Sequence, residues 1–269
     1  MVATPSGAHS RDPLTLSILR FLRSLDDPGR EWRGTMSRAL SEWGIEGARR
    51  FDGRVGAIII VDVLSFSTCV DIAVARGASV HPFAYGNHDV AEEFAMSSGA
   101  EIAGPRGNPA YRFSLSPGSL STIAAGARLV LPSPNGSAIS ATPRSAHVLA
   151  GCLRNASAVA NKATALAAGR SIAVIPAGER WTDGSLRPAI EDLLGAGAIL
   201  HALGLPCSPE AEVARLAFLG SRGCLAELVR GSVSGEELIS RGYPGDVDVA
   251  IEYDVSAAAP LLQNGAYSN

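Results

Sequence analysis

Residues 55–71 constrain this chain more than any other stretch. The run VGAIIIVDVL has Val, Ile or Leu at seven of its ten positions, then gives way to the polar turn SFSTCVD. A short, continuous, β-branched run of this kind reads as a strand buried on both faces. Such a strand belongs inside a parallel sheet with helices packed against it. Asp62 stands near the end of the run, and a carboxylate is expensive to bury unless it is paired or placed at an edge. In α/β proteins the carboxyl edge of the strands is where ligands bind, so Asp62 is the first candidate for chemistry.

The rest of the chain agrees with one large α/β domain, or two closely joined lobes. At 269 residues, 46% of them apolar, it can bury a sizeable core without disulfides or metal staples. The net charge of −3 gives no basic surface for nucleic acid or anionic lipid. No apolar run is long enough to span a bilayer, and MVATPSGAHSRDPLT lacks the apolar centre of a secretory signal. The four cysteines form no CxxC pair and the histidines are scattered, which argues for reduced thiols in a cytoplasmic protein and against zinc.

Residues 1–35 read as an extension, polar at first and with a short amphipathic helix over 16–25. The main domain is expected from 36 to 269. Within it, strands over 57–64, 79–84, 128–132, 147–151 and 171–178 alternate with helices over 66–77, 89–98, 136–142, 155–168 and 189–204. Two or three helices are expected over 209–240, and a half-buried strand over 247–255. Residues 104–121, rich in Gly, Pro and Ser, read as a long functional loop. This alternation predicts a mainly parallel sheet with helices on both faces.

Polar residues recur where these strands end: Asp62, then Ser133 and Asn135, then Asn155, then Glu179, Arg180 and Asp183, with Arg187, Glu191 and Asp192 shortly after. Any one of them is ordinarily a helix cap or a solvated loop residue. Parallel strands would bring them to one rim. The turns at Ser133–Ser137 and Asn155–Ser157 lead into helices, whose exposed backbone N–H groups suit a phosphate. The carboxylates would repel it, and make sense as ligands of a hard cation such as Mg²⁺. Together they point to metal-assisted phosphoryl chemistry.

Three familiar motifs do not fit. An aspartyl-phosphate phosphatase carries DxDx[TV] after its strand, but Leu64 stands in place of the second Asp; Asp246-Val247-Asp248 has the spacing without the strand. Cys224 and Arg230 have the C-x5-R spacing of a cysteine phosphatase, but the residues between them lack the glycines of a phosphate loop. No GxGxxG follows the first strand.

Over roughly residues 42–267 the chain resembles the 2-phosphosulfolactate phosphatases, Mg²⁺-dependent enzymes first associated with coenzyme M synthesis. The resemblance is carried by Asp62-Val63-Leu64 with Ser67-Thr68, by Arg106 and Phe113 with Leu115-Ser116-Pro117, and by Pro134-Asn135-Gly136-Ser137. It continues through Gly151–Ser157, Ala177-Gly178-Glu179, Glu191-Asp192 with Gly195–Ala198, and Asp254-Val255 before Pro260. It implies that family's own α/β fold and hydrolysis of the phosphate ester of a small anionic acid. It also implies active-site positions at Asp62, Asn135, Asn155, Glu179 and Glu191, with Arg106 nearby. The chain departs from the family pattern at Ser65, where an arginine is common, and at Pro105, where a glutamate usually precedes the loop arginine. Arg154, Arg180 or Arg187 could make good the lost positive charge.

The expected site therefore has Asp62, Glu179 and Glu191 as catalytic carboxylates and Asp62, Glu191 and Asp254 as holders of Mg²⁺. Arg106, Ser133, Asn135, Gly136, Asn155 and Arg187 are expected to bind a small phosphorylated acid. A cation-activated water and Asp62 itself both stay open as the nucleophile. The rival reading is a binding module that grips a phosphorylated metabolite without hydrolysing it. The apolar segment from Ala257 to Leu262 and the many small residues leave room for a homo-oligomer.

Overall fold

The buried run forms strand β2 (Ala57–Val61) of a ten-stranded sheet. The computed structural model describes residues 36–84, 88–144 and 146–269. The extension over 1–35 and the helix expected at 16–25 lie outside the described residues. One parallel group of strands is β1 (Ala39–Ser41), β8 (Ile172–Pro176), β2 and β7 (His147–Gly151), in that order across the sheet. A second parallel group is β3 (Ser79–Ala84), β6 (Arg128–Ser133), β4 (Glu101–Gly104) and β5 (Phe113–Ser114). Between the groups lies a hairpin of β11 (Leu261–Gln263) and β12 (Ala266–Ser268). The hairpin pairs antiparallel with β7 through Leu261 and Leu149, and with β3 through Tyr267 and Val80. The sheet is thus two parallel halves joined by an antiparallel seam.

The period of two along β2 divides the interior. Ala57, Ile59 and Val61 face one core, with α5 (Ala156–Ala167), α6 (Ile190–Leu203) and α7 (Pro209–Ser221). Ile58 and Ile60 face the other, with α2 (Phe66–Ala75), Val80, Leu129, Leu131 and Tyr267. All five β2 residues are fully buried, and each Ile contributes roughly 2–3 kcal/mol by leaving water. The small residues of α6 allow close approach: a Cβ on Gly195 would stand 2.7 Å from Val63 Cγ2, and one on Gly197 would stand 2.2 Å from the Ala214 carbonyl oxygen.

Several expectations need correction. Residues 247–255 were expected as a strand, but Pro244–Ala250 is a helix. Pro244 stands at its start, where the missing N–H does no harm, and Val247 and Ala250, one turn apart, are buried. The apolar segment 257–262 is no exposed patch, since Ala258, Ala259 and Leu261 are buried in the seam. The long loop over 104–121 contains β5 and a 3₁₀ turn at Pro117–Thr122. The loop after β8 folds into a short hairpin of β9 (Glu179–Arg180) and β10 (Leu186–Arg187). The remaining described helices are Gly44–Phe51, His88–Ser98, Gly136–Ser140, Leu225–Arg230 and Val233–Ser240. Among the described residues no helix is long and apolar enough to cross a membrane.

Candidate active site

Asp62 leaves the end of β2 and is held by backbone from two directions. Oδ1 accepts the Phe66 N–H at 3.1 Å, and Oδ2 accepts the Gly136 N–H at 2.8 Å. The first bond belongs to its own turn, which Ser67 braces by donating to the Ile60 carbonyl and accepting from the Asp62 N–H. The second comes from the start of the short helix after β6, so the carboxyl ends of β2 and β6 meet at this carboxylate. The approach is tight: a Cβ on Gly136 would fall 2.2 Å from the Phe66 ring and 2.8 Å from Asp62 Oδ2.

Glu179 and Asn135 extend the cluster. Asn135 Nδ2 donates to Glu179 Oε2 at 2.9 Å, tying the β6 turn to the β9–β10 hairpin. In that hairpin Arg187 is the direct cross-strand partner of Glu179, and its guanidinium lies 5.8 Å from the Trp181 ring centre. Glu191 and Asp192 enter from the first turn of α6. Asp192 accepts the Val63 N–H at 2.7 Å and the Gly178 N–H at 2.8 Å. It therefore pins the exits of β2 and β8 together. Glu191 is 2% exposed, and its Oε2 has no hydrogen-bond partner.

Crowded acids in a dry place hold their protons. Burial, with Glu191 adding repulsion against two backbone N–H bonds and Arg106, pushes Asp62 up to about 6. Burial and the negative charge of Asp62 push Glu179 up to about 7, against the pull of Asn135 and Arg187. Asp192 is raised well above the carboxylate range by burial and then by Asp62 and Glu191. Such a cluster is typical of functional sites.

Arg106 supplies positive charge. Its Nη2 donates to Ser65 Oγ at 2.8 Å and its Nε to Asp246 Oδ2 at 3.2 Å. Ser116 donates to the other Asp246 oxygen, and the Tyr243 ring lies 5.7 Å from the guanidinium carbon. The serine at position 65 thus receives an arginine from the loop after β4. Asp246, set aside in the sequence for want of a strand before it, is the anchor of that arginine. Its helical start at Pro244 was the signal available.

Other expected residues stand differently. Ser133 is buried and accepts the Asn135 N–H at 3.4 Å, shaping the turn. Asn155 is fully buried, with Oδ1 on the Cys152 N–H and Nδ2 on the Ala150 carbonyl; its amide closes its own turn. Asp254 is exposed and accepts both the N–H and the hydroxyl of Ser157, at 2.8 and 2.6 Å. It caps the start of α5. Both helix starts expected to hold phosphate therefore already hold a carboxylate: Asp62 at Gly136 and Asp254 at Ser157. Arg154 binds Asp71 and Glu252, and exposed Arg180 bonds the Gly184 carbonyl.

A buried acidic cluster thus stands with two arginines near it at the strand ends of an α/β sheet, the place and the chemistry of an enzyme's active site. Comparison with protein families narrows the kind of enzyme. The chain belongs to the 2-phosphosulpholactate phosphatase family, whose family model matches residues 48–265. It is accordingly a phosphoric monoester hydrolase, and its substrate is a small phosphorylated molecule.

Proposed function

We propose that this protein hydrolyses the phosphate ester of a small 2-hydroxy acid, 2-phosphosulfolactate or a close relative, with Mg²⁺ held by Asp62 and Glu191. The observation that carries the cation is Glu191 Oε2, a buried carboxylate oxygen without a partner beside three other acids. A hard cation would satisfy it and relieve the repulsion. Mg²⁺ uses one or two carboxylates and keeps several waters. When bound, the cation would neutralise phosphate charge and ease deprotonation of a water.

The chain's own residues supply the rest. Arg106 and Arg187 draw in the doubly anionic substrate, Arg106 facing its carboxylate or sulfonate as a fixed fork. Asn135 keeps Glu179 in place. Held near 7, Glu179 carries a proton for a good part of the time at neutral pH and gives it to the ester oxygen as the bond to phosphorus breaks. Asp192 keeps the β2 and β8 exits together while this happens. A water attacks phosphorus. Reduced, unpaired cysteines support a cytoplasmic setting.

Phosphate release from phosphosulfolactate, phospholactate and phosphoglycolate, with Mg²⁺ and with a chelator, tests the reading. Release that needs Mg²⁺ is expected. Single turnover in ¹⁸O water should put label in the first phosphate released, and unlabelled first-turnover phosphate would transfer the attack to Asp62. Manganese binding followed by electron paramagnetic resonance should be lost in Glu191→Gln, and retained binding would remove the cation from this site.

A further inference from the structure

Both carboxylate oxygens of buried Asp246 are engaged by one loop, the segment between β4 and the 3₁₀ turn. Oδ2 accepts the Arg106 Nε–H at 3.2 Å, and Oδ1 accepts the hydroxyl of Ser116. The two donors flank β5, so the carboxylate clasps the loop on either side of that strand. The arm that carries Asp246 is itself fixed. Its helix, Pro244–Ala250, buries Val247 and Ala250. Near the far end Arg154 Nη1 donates to the Val249 carbonyl at 3.2 Å, while Arg154 Nε donates to fully buried Asp71 at 3.0 Å. Tyr243, at the helix start, holds its ring 5.7 Å from the Arg106 guanidinium carbon, within reach of a cation–π contact.

Arg106 in turn reaches the turn of Asp62. Its Nη2 bonds Ser65 Oγ at 2.8 Å, between Asp62 and Phe66. Burial raises Asp62 and the charge of Arg106 works against it. An arginine has five N–H donors; these two bonds leave three, both on Nη1 among them, and Arg106 is only half-buried. Resting on the phosphatase reading above, we infer that Asp246 is the positioning residue of Arg106, and that through this arginine it sets the affinity for the acid group of the substrate. A free arginine side chain spreads over many rotamers. Held at Nε by a fixed carboxylate, the fork keeps one plane, and two-point binding of a carboxylate or sulfonate depends on that plane. Asp246 itself touches no substrate. Its effect passes through Arg106 alone and leaves the phosphate half of the site as it is.

The test separates the two halves of the substrate. Asp246→Asn keeps the shape of the side chain but turns an N–H₂ group on one of its two donors. With Mg²⁺ and the best substrate among phosphosulfolactate, phospholactate and phosphoglycolate, it should raise KM about tenfold or more, the scale of a lost charge-assisted bond, and change kcat less than about threefold. Of the two products as inhibitors, the hydroxy acid should weaken by the same factor and inorganic phosphate by less than about twofold. In an Arg106→Ala background Asp246→Asn should have no further effect. Equal weakening of both products, additive losses in the double variant, or an unchanged KM each overturns the inference and leaves the phosphatase reading standing. Should melting by circular dichroism show Asp246→Asn unfolded, Ser116→Ala takes its place. It frees the other carboxylate oxygen and should weaken the hydroxy acid about threefold and phosphate not at all; equal or absent effects on the two products overturn the inference there too. No phosphate release by the parent from any of the three acids overturns the phosphatase reading and the inference with it.

Discussion

Replacing Gly136 by alanine puts a methyl group where the structure has no room. The new carbon would lie 2.2 Å from Phe66 Cδ1 and 2.8 Å from Asp62 Oδ2. Phe66 cannot swing away, because it is fully buried and meets Tyr267 edge-on, with ring centres 6.1 Å apart. Overpacking a core in this way costs about 1–3 kcal/mol, and three contacts below 3.0 Å favour the upper half of that range. Alanine is the better helix former by at most ~1 kcal/mol, and less at the first helical residue. The net loss is about 2 kcal/mol, or roughly 4–8 °C in melting temperature for a domain of this size. Relief by a backbone shift would carry the Gly136 N–H away from Asp62, so turnover should fall further than stability does. Calorimetric melts and kcat measure the two effects. Gly220→Ala in α7 is the control: nothing lies within 4 Å of its added carbon, and it should stabilise by up to ~1 kcal/mol. A Gly136→Ala protein melting at or above the parent, with Gly220→Ala behaving as stated, would refute the close packing of Gly136 on Phe66 and Asp62.

Other expectations follow from the same geometry. Asp62→Asn and Glu191→Gln should each lower turnover by roughly two orders of magnitude or more while the fold is kept, as read by steady-state kinetics beside circular dichroism. Glu179, raised to about 7 in the folded protein from an ordinary value of 4.5, favours the folded state fully below the ordinary value. That contribution is lost as pH rises through 7, so Glu179→Gln should match the parent near pH 4 and gain stability towards pH 8, by at most about 3 kcal/mol; equal melting curves of the two proteins at pH 8 would contradict the burial argument. Cys69 and Cys152 are buried thiols, raised by burial, Cys152 to about 12. Iodoacetamide at pH 8 should therefore label half-buried Cys224 first, and mass spectrometry showing early label on Cys152 would count against its burial.

Much of the half-sheet around β2 was legible, because a continuous apolar run followed by a polar turn has few alternatives. Asp62, Glu179 and Glu191 could be picked out because parallel strands gather their ends. Asn155 and Asp254 show how weak a single polar residue is as a signal: amides and carboxylates at turns close the backbone as readily as they bind ligands, and both make such bonds here. Alternation over 247–255 imitated a strand although Pro244 and Asp246 marked a helix start. The seam was missed despite Asn264-Gly265 between two apolar runs, the strongest short hairpin signal; both residues have positive φ, 51° and 80°. Its pairing partners Leu149 and Val80 are remote in the chain, and no local pattern names them. Arg106 and Asp246 are likewise joined only by tertiary structure.

That seam has a consequence for how the molecule is made. Strands β3 to β6 are an excursion inserted between β2 and β7, and both sides of the join are synthesised well before residues 261–268 emerge. Until then β7 and β3 each present an open row of peptide groups, an invitation to foreign strands. Tyr267 arrives with the closing piece, hydrogen-bonded to Ser140 and set against Phe66. Closure of the seam is thus a late event in synthesis, and a chain stalled before that tyrosine carries two adhesive flanks and lacks the ring that packs on Phe66.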